Sequence, residues 1–189
     1  VIIHISNPFT HLVNLSITAS QFPSIFKMAK VIPIFKNNDP HDISNYRPVS
    51  VLSVISKVIE KVVYNRMLNF IEEYNLLTPN QHRFRPKKST LTAACSLFER
   101  IYDELDSRNH VAGLFFDLSR AFDCLDITFI RNKLYNVGFR GIFLEWVINF
   151  LSGRKSVVKI KESSSEPYTT NKGVPQGSVL GPLLFLNFY

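Results

Sequence analysis

Two carboxylate- and amide-bearing motifs and two clusters of cations mark the chemistry open to this sequence. Asp117 closes the apolar run VAGLFF inside FFDLSRAFDCLD, from Phe115 to Asp126. A lone carboxylate at the end of an apolar strand needs a partner, because an unpaired buried charge is costly. A hard cation such as Mg²⁺ is one such partner, since it takes oxygen ligands and prefers phosphate-bearing substrates. The backbone carbonyl of Leu118 offers a second ligand. The same residues fit another reading, in which Asp117 caps the following turn and Asp123 and Asp126 lie on a solvated face. The second motif is KGVPQGSVLGPLLF, from Lys172 to Phe185. Gly173 and Gly177 let the backbone approach a ligand closely. Pro175 fixes the turn, and Gln176 brings both a donor and an acceptor. On spacing alone, a tight turn leading into a helix is the simpler account.

The cations come next. Lys30, Lys36 and Arg47 flank a strand and its loop, and Arg47 precedes a proline that holds its backbone extended. Guanidinium and ammonium groups suit phosphate oxygens. Arg83, Arg85, Lys87 and Lys88 form a second cluster able to follow a nucleic-acid backbone. Taken singly, each cluster reads as an exposed, solvated loop.

The elements that must position these residues are a mixture of helix and strand. Asn7 and Pro8 open a short apolar-periodic helix that Pro23 ends. AKVIPIF, from Ala29 to Phe35, reads as a strand with an irregularity or edge at Pro33, and 36–48 as a loop. Between Leu52 and Tyr74, Ile55, Val58, Ile59, Val62 and Val63 recur at helical spacing. The basic loop runs from Thr78 to Ser89, and Ser89 caps a helix to about Ser107. His110 to Asp117 reads as a buried strand. Helices follow at 128–136 and 141–151, with Gly153 breaking the second. Lys155–Lys161 alternates like a strand, and a second short strand near 168–170 completes a hairpin. A helix begins near Ser178.

A chain of 189 residues with 46% hydrophobic and 20% charged content builds one sizeable core and is not disordered. Sixteen phenylalanines make that core aromatic-rich. A net charge of +7 makes a polyanionic partner plausible. Cys95 and Cys124 lack metal-ligand spacing and read as reduced, partly buried thiols. No stretch reaches the roughly 18 apolar residues of a membrane span. The start at Val1, without methionine, suggests a piece of a longer protein.

The order of the motifs adds what none supplies alone. KVIPIFKNND, ISNYRPVSVLSVISKVIEKVV, LTPNQHRFRPKKST, FFDLSRAFDCLD and KGVPQGSVLGPLLF follow one another as in the reverse transcriptase domain of non-LTR (LINE-type) retrotransposons. The chain resembles the jockey-like animal elements in particular, from about Phe22 to Tyr189. The resemblance implies an α+β fold, with the fingers and part of the palm of a right-hand polymerase: about 22–109 fingers-like, about 110–189 partial palm. It implies that Asp117 is the first metal-binding aspartate, catalytic with the Leu118 carbonyl beside it. Phe122 matches the aromatic gate under the sugar of the incoming nucleotide. Gln176 and Gly177 match the nucleotide-pocket motif, and Lys36 and Arg47 the finger cations on the triphosphate. The implied parent is an RNA-directed DNA polymerase that uses Mg²⁺ (or Mn²⁺), an RNA template, a DNA primer and dNTPs. It needs no membrane and works inside the cell, in the nucleus where the target is chromosomal.

Three departures qualify the resemblance. The family's Tyr-Ala-Asp-Asp motif, which completes the two-metal site, falls beyond Tyr189, as do the thumb and the rest of the palm. The isolated chain is therefore expected to be inactive, or to persist as a non-catalytic nucleic-acid-binding remnant. Arg83 stands where the family usually has Gly, which predicts backbone strain there. Ile127 stands where it often has His.

Overall fold

The computed structural model describes residues 2–117 and 122–186. Its elements run α1 (Ile2–Thr18), β1 (Met28–Phe35), β2 (Tyr46–Val51), α2 (Val54–Glu73), α3 (Thr90–Asp106), α4 (Ile127–Val137), α5 (Gly141–Leu151), β3 (Arg154–Ile160), β4 (Ser163–Ser164), β5 (Tyr168–Thr170) and α6 (Gly181–Leu186). The mixed helix and sheet follows the sequence expectation.

β1 lies between β2 and β3. It pairs antiparallel with β2, from Lys30 opposite Val51 to Phe35 opposite Tyr46, and parallel with β3, from Met28 opposite Lys155 to Val31 opposite Val158. β4 and β5 both pair antiparallel with β3. Pro33 and Pro48 stand opposite each other. Proline lacks an N–H, so it is tolerated where no ladder bond is required. β2 is an edge strand, and β3 leaves β1 after Val31, so neither proline interrupts a pairing on its other side. Tyr46 to Pro48, read from sequence as the end of a loop, begins β2, which runs on to Val51. Its two extended residues before and at the proline gain a partner in β1 that local sequence does not reveal.

The core gathers one face from each of five helices. α5 is apolar almost all round and buries Leu144, Trp146, Val147, Phe150 and Leu151. Trp146 stacks on Phe150 at 5.9 Å between ring centroids, and Phe22 meets both edge-on at 5.5 and 5.0 Å. The Trp146 indole donates to Ser16 Oγ at 2.9 Å, tying α1 to α5. α1 starts at Ile2, earlier than expected, with Pro8 inside it. The amide bond that would close on His4 is forgone there, and packing on α5 compensates.

Caps set the other helices. The Ser89 side chain accepts from Thr92 N while Thr92 Oγ1 accepts from Ser89 N, a reciprocal capping box. Asp126 accepts from Thr128 N at 2.8 Å and so starts α4, which leaves it on structural duty.

Two expectations fail. Residues 110–117 are not a buried strand: they form no regular element, and Leu114, Phe115 and Phe116 are more than four-fifths exposed (83%, 86% and 88%). An apolar β-run becomes a strand only where another strand takes its backbone bonds, and no described strand pairs with it. Cys95 and Cys124 are both exposed, not partly buried. No helix among the described residues is long and apolar enough to cross a membrane.

These contrasts predict unequal costs in urea unfolding. Phe150→Ala should lose about 3–5 kcal/mol, as for other truncations of a buried aromatic. Phe115→Ser should change stability by less than about 0.5 kcal/mol, the range of ordinary surface substitutions.

Candidate nucleotide-binding cleft

A cleft of about 1360 Å³ opens beside the β1–β2 sheet, and Lys36, Arg47, Arg83, Asp117, Phe122 and Gln176 all line it. These six come from separate stretches of chain. Lys36 follows β1, where its N–H donates to Asn45 O at 2.8 Å and closes the β1–β2 connection. Arg47 sits on β2 opposite Ile34. Phe122 is half-buried with its ring against Phe185, 4.9 Å between centroids. The Leu118 carbonyl, expected as a ligand, lies outside the described residues.

The loop carrying Gln176 is held by backbone contacts on two sides. Ser50 N donates to Gln176 O at 2.7 Å, Gly173 N to Leu125 O at 2.7 Å, and Val174 N to Phe122 O at 2.8 Å. Gly177 has φ +112°, and a Cβ there would stand 2.6 Å from Ser50 O. A Cβ on Gly173, at φ +80°, would stand 2.9 Å from the backbone of Phe122 and Asp123. Both glycines are therefore required by close backbone approach as well as by φ. Gly177 does not line the cleft itself; it lets the loop dock on β2. The Gln176 amide donates to both Asp123 oxygens at 3.3 Å, which sets its orientation.

The basic loop divides into two parts. Arg85 turns inward: Nε and Nη2 donate to the two Glu72 oxygens at 3.0 and 2.8 Å, and Nη1 to Thr78 O at 3.1 Å. Those bonds from Arg85 hold the Glu72 carboxyl below its usual range. Arg83 faces the cleft, its guanidinium over the Phe84 ring at 4.9 Å. Lys87 and Lys88 are exposed outside the cleft lining. The left-handed backbone falls on Phe84 (φ 59°) and Lys87 (φ 60°), so the strain expected at Arg83 sits on its neighbour.

Among the described residues, no group of three or more His, Cys, Asp or Glu side chains is placed to hold a metal ion. Asp117 alone does not make the metal site that the resemblance implies.

Sequence reading missed Glu60 and Arg154. Glu60 is fully buried within the α2 stripe Ser56, Ile59, Glu60, Val63, Met67, Ile71. It accepts from Ser56 Oγ at 2.9 Å, Val179 N at 2.7 Å and Leu180 N at 3.3 Å. Arg154 is also buried and donates through Nη1 to Phe150 O at 3.1 Å. A glutamate on the largely apolar inner face of an amphipathic helix was the available signal. Burial pushes the Glu60 carboxyl above its ordinary range, against the pull of its hydrogen bonds and of Arg154.

A cleft lined by cations, an aromatic ring and an oriented amide offers groups whose chemistry suits phosphate oxygens and flat rings. The family model for "Reverse transcriptase (RNA-dependent DNA polymerase)" matches residues 34–189, and the chain belongs to that family. Among its relatives is the probable RNA-directed DNA polymerase from transposon BS of Drosophila melanogaster, 33% identical over 88% of this chain and 18% of the relative. The probable polymerase of transposon X-element from the same species is 30% identical over 93% of this chain and 19% of the relative. The RNA-directed DNA polymerase of its mobile element jockey is 28% identical over the same shares, 93% and 19%. The chain thus spans about a fifth of the length of these curated relatives.

Two measurements check this geometry. Gly177→Ala should cost at least about 2 kcal/mol, from strained φ plus the clash with Ser50. A raised folded-state pKa at Glu60 gives stability that is complete below the unfolded value and is lost as pH rises through the folded one. Relative to Glu60→Gln, the wild-type chain should therefore lose stability from about pH 4 upward; a pH-independent difference would contradict the assignment.

Proposed function

We propose that the cleft receives the incoming nucleotide and the adjoining nucleic acid of an RNA-directed DNA polymerase. In this reading residues of about 22–109 form fingers and about 110–189 part of a right-hand palm. The observation that carries it is the convergence of Lys36, Arg47, Phe122 and Gln176, far apart in sequence, on one cleft with Asp117. Lys36 and Arg47 would hold the triphosphate, the Phe122 ring would lie under the sugar, and Gln176 would contact the nucleotide. Arg83, with Lys87 and Lys88 outside, would follow the template or primer backbone, while Arg85 serves the fold through Glu72.

In the parent enzyme a primer 3′-hydroxyl attacks the α-phosphorus of a dNTP and pyrophosphate leaves. Reverse transcriptases use divalent metal for this step, with Mg²⁺ the expected ion. In this reading Asp117 would be one of the groups that hold the ion, and the isolated chain binds without polymerising. Polyanion binding is supported by the net charge of +7.

Fluorescence anisotropy with a single-stranded RNA oligonucleotide tests the binding. Affinity should fall steeply with salt, and Lys36→Ala, Arg47→Ala and Arg83→Ala together should flatten the log–log slope by roughly 0.7 for each phosphate no longer neutralised. Salt-independent binding would count against it. Primer extension with Mg²⁺ should be undetectable; extension that disappears in Asp117→Ala would overturn the non-catalytic assignment.

A further inference from the structure

We propose that Glu60, remote from the cleft lining, is the positioning residue that fixes the Gln176 loop for nucleotide contact. The inference rests on the nucleotide reading of the cleft. A carboxylate with none of its surface exposed is expensive to bury, and an apolar side chain of its size would pack the same α2 stripe at less cost. What Glu60 provides instead is an acceptor. Its Oε2 takes the N–H groups of Val179 and Leu180, three and four residues after Gln176. Ser56, also fully buried, donates to Oε1 and holds the carboxylate in that orientation. Arg154 is the cation that faces it electrostatically, reaching inward from the start of β3.

The consequence is a loop gripped from both ends. On the cleft side, Ser50 of β2 binds the Gln176 carbonyl. On the core side, α2 binds the next amides through Glu60. Only two residues, Gly177 and Ser178, separate the grips, and Ser178 Oγ accepts from Gly181 N, just past the second grip, at 3.0 Å. Ser53, at the cap of α2, and Ser50, on β2, are three residues apart. The two grips thus belong to consecutive elements, so displacing Glu60 would displace Gln176 against β2.

Two full-chain variants test this. Glu60→Gln keeps an acceptor for the two amides and a partner for Ser56. Glu60→Met keeps the volume and removes both. With near-UV dichroism of Trp146 reporting the fold, dissociation constants for dTTP are compared. The expected result is a Gln variant within about threefold of wild type and a Met variant weakened about tenfold or more, the usual effect of removing the support behind a binding group. Wild-type affinity in the folded Met variant would overturn the proposal. Should the Met variant not fold, amide exchange decides on wild type and the Gln variant. Val179 and Leu180 exchanging as slowly as the α2 amides supports the grip, and exchange at exposed-loop rates overturns it. A wild-type chain that ignores dTTP refutes the nucleotide reading alone, and the exchange rates still decide the role of Glu60.

Discussion

Ser50 O stands where a side chain at residue 177 would begin. That close approach lets the loop after Lys172 lie directly on β2, and the cleft depends on it. With Gly177 against Ser50 and Gly173 against the backbone of Phe122 and Asp123, the loop draws together the edge of the sheet, the turn at Phe122 and Asp123 and the last described helix. A single added methyl at either glycine would push these apart. The aromatic and amide groups of the cleft would then lose their common frame.

The interior supplies the stiffness behind this junction. Trp146, Phe150 and Phe22 interlock at ring distances of 5.0 to 5.9 Å. Arg154 leans on the same Phe150, its guanidinium over the ring at 5.0 Å, and its Nη2 finds no hydrogen-bond partner among the described residues. A buried guanidinium left partly unsatisfied costs stability. The Glu60 charge opposes that cost. Arg154 thus touches the aromatic core through Phe150, and Glu60 touches the loop through Val179 and Leu180.

Much of this is legible in the sequence, for local reasons. α5 carries an apolar run bounded by two glycines, and its bounds at 141 and 151 match the expectation. Ser89 announces α3 through its side-chain chemistry alone. The cleft residues emerge from motif order, which encodes their meeting in space although no one motif does. What the sequence hides depends on partners far away. VAGLFF has the composition of a strand, yet 110–117 stays exposed because no described strand receives it. Tyr46 to Pro48 looks like loop because of its proline, and β1 makes it part of a strand. The inward face of Arg85 cannot be separated from outward-facing Arg83 two positions earlier, since only the fold brings Glu72 near. Glu60 is visible as a charge on an apolar stripe, but its amide partners lie 119 and 120 residues away.

The proposed function places a nucleotide between the β1–β2 sheet and the Gln176 loop. Photocrosslinking with 4-thio-dTTP, mapped by mass spectrometry, reads that location directly. Adducts on Phe122, Arg47 or Gln176 are the predicted result. Adducts confined to the exposed faces of α1 or α3, with the cleft peptides unmodified, would contradict it.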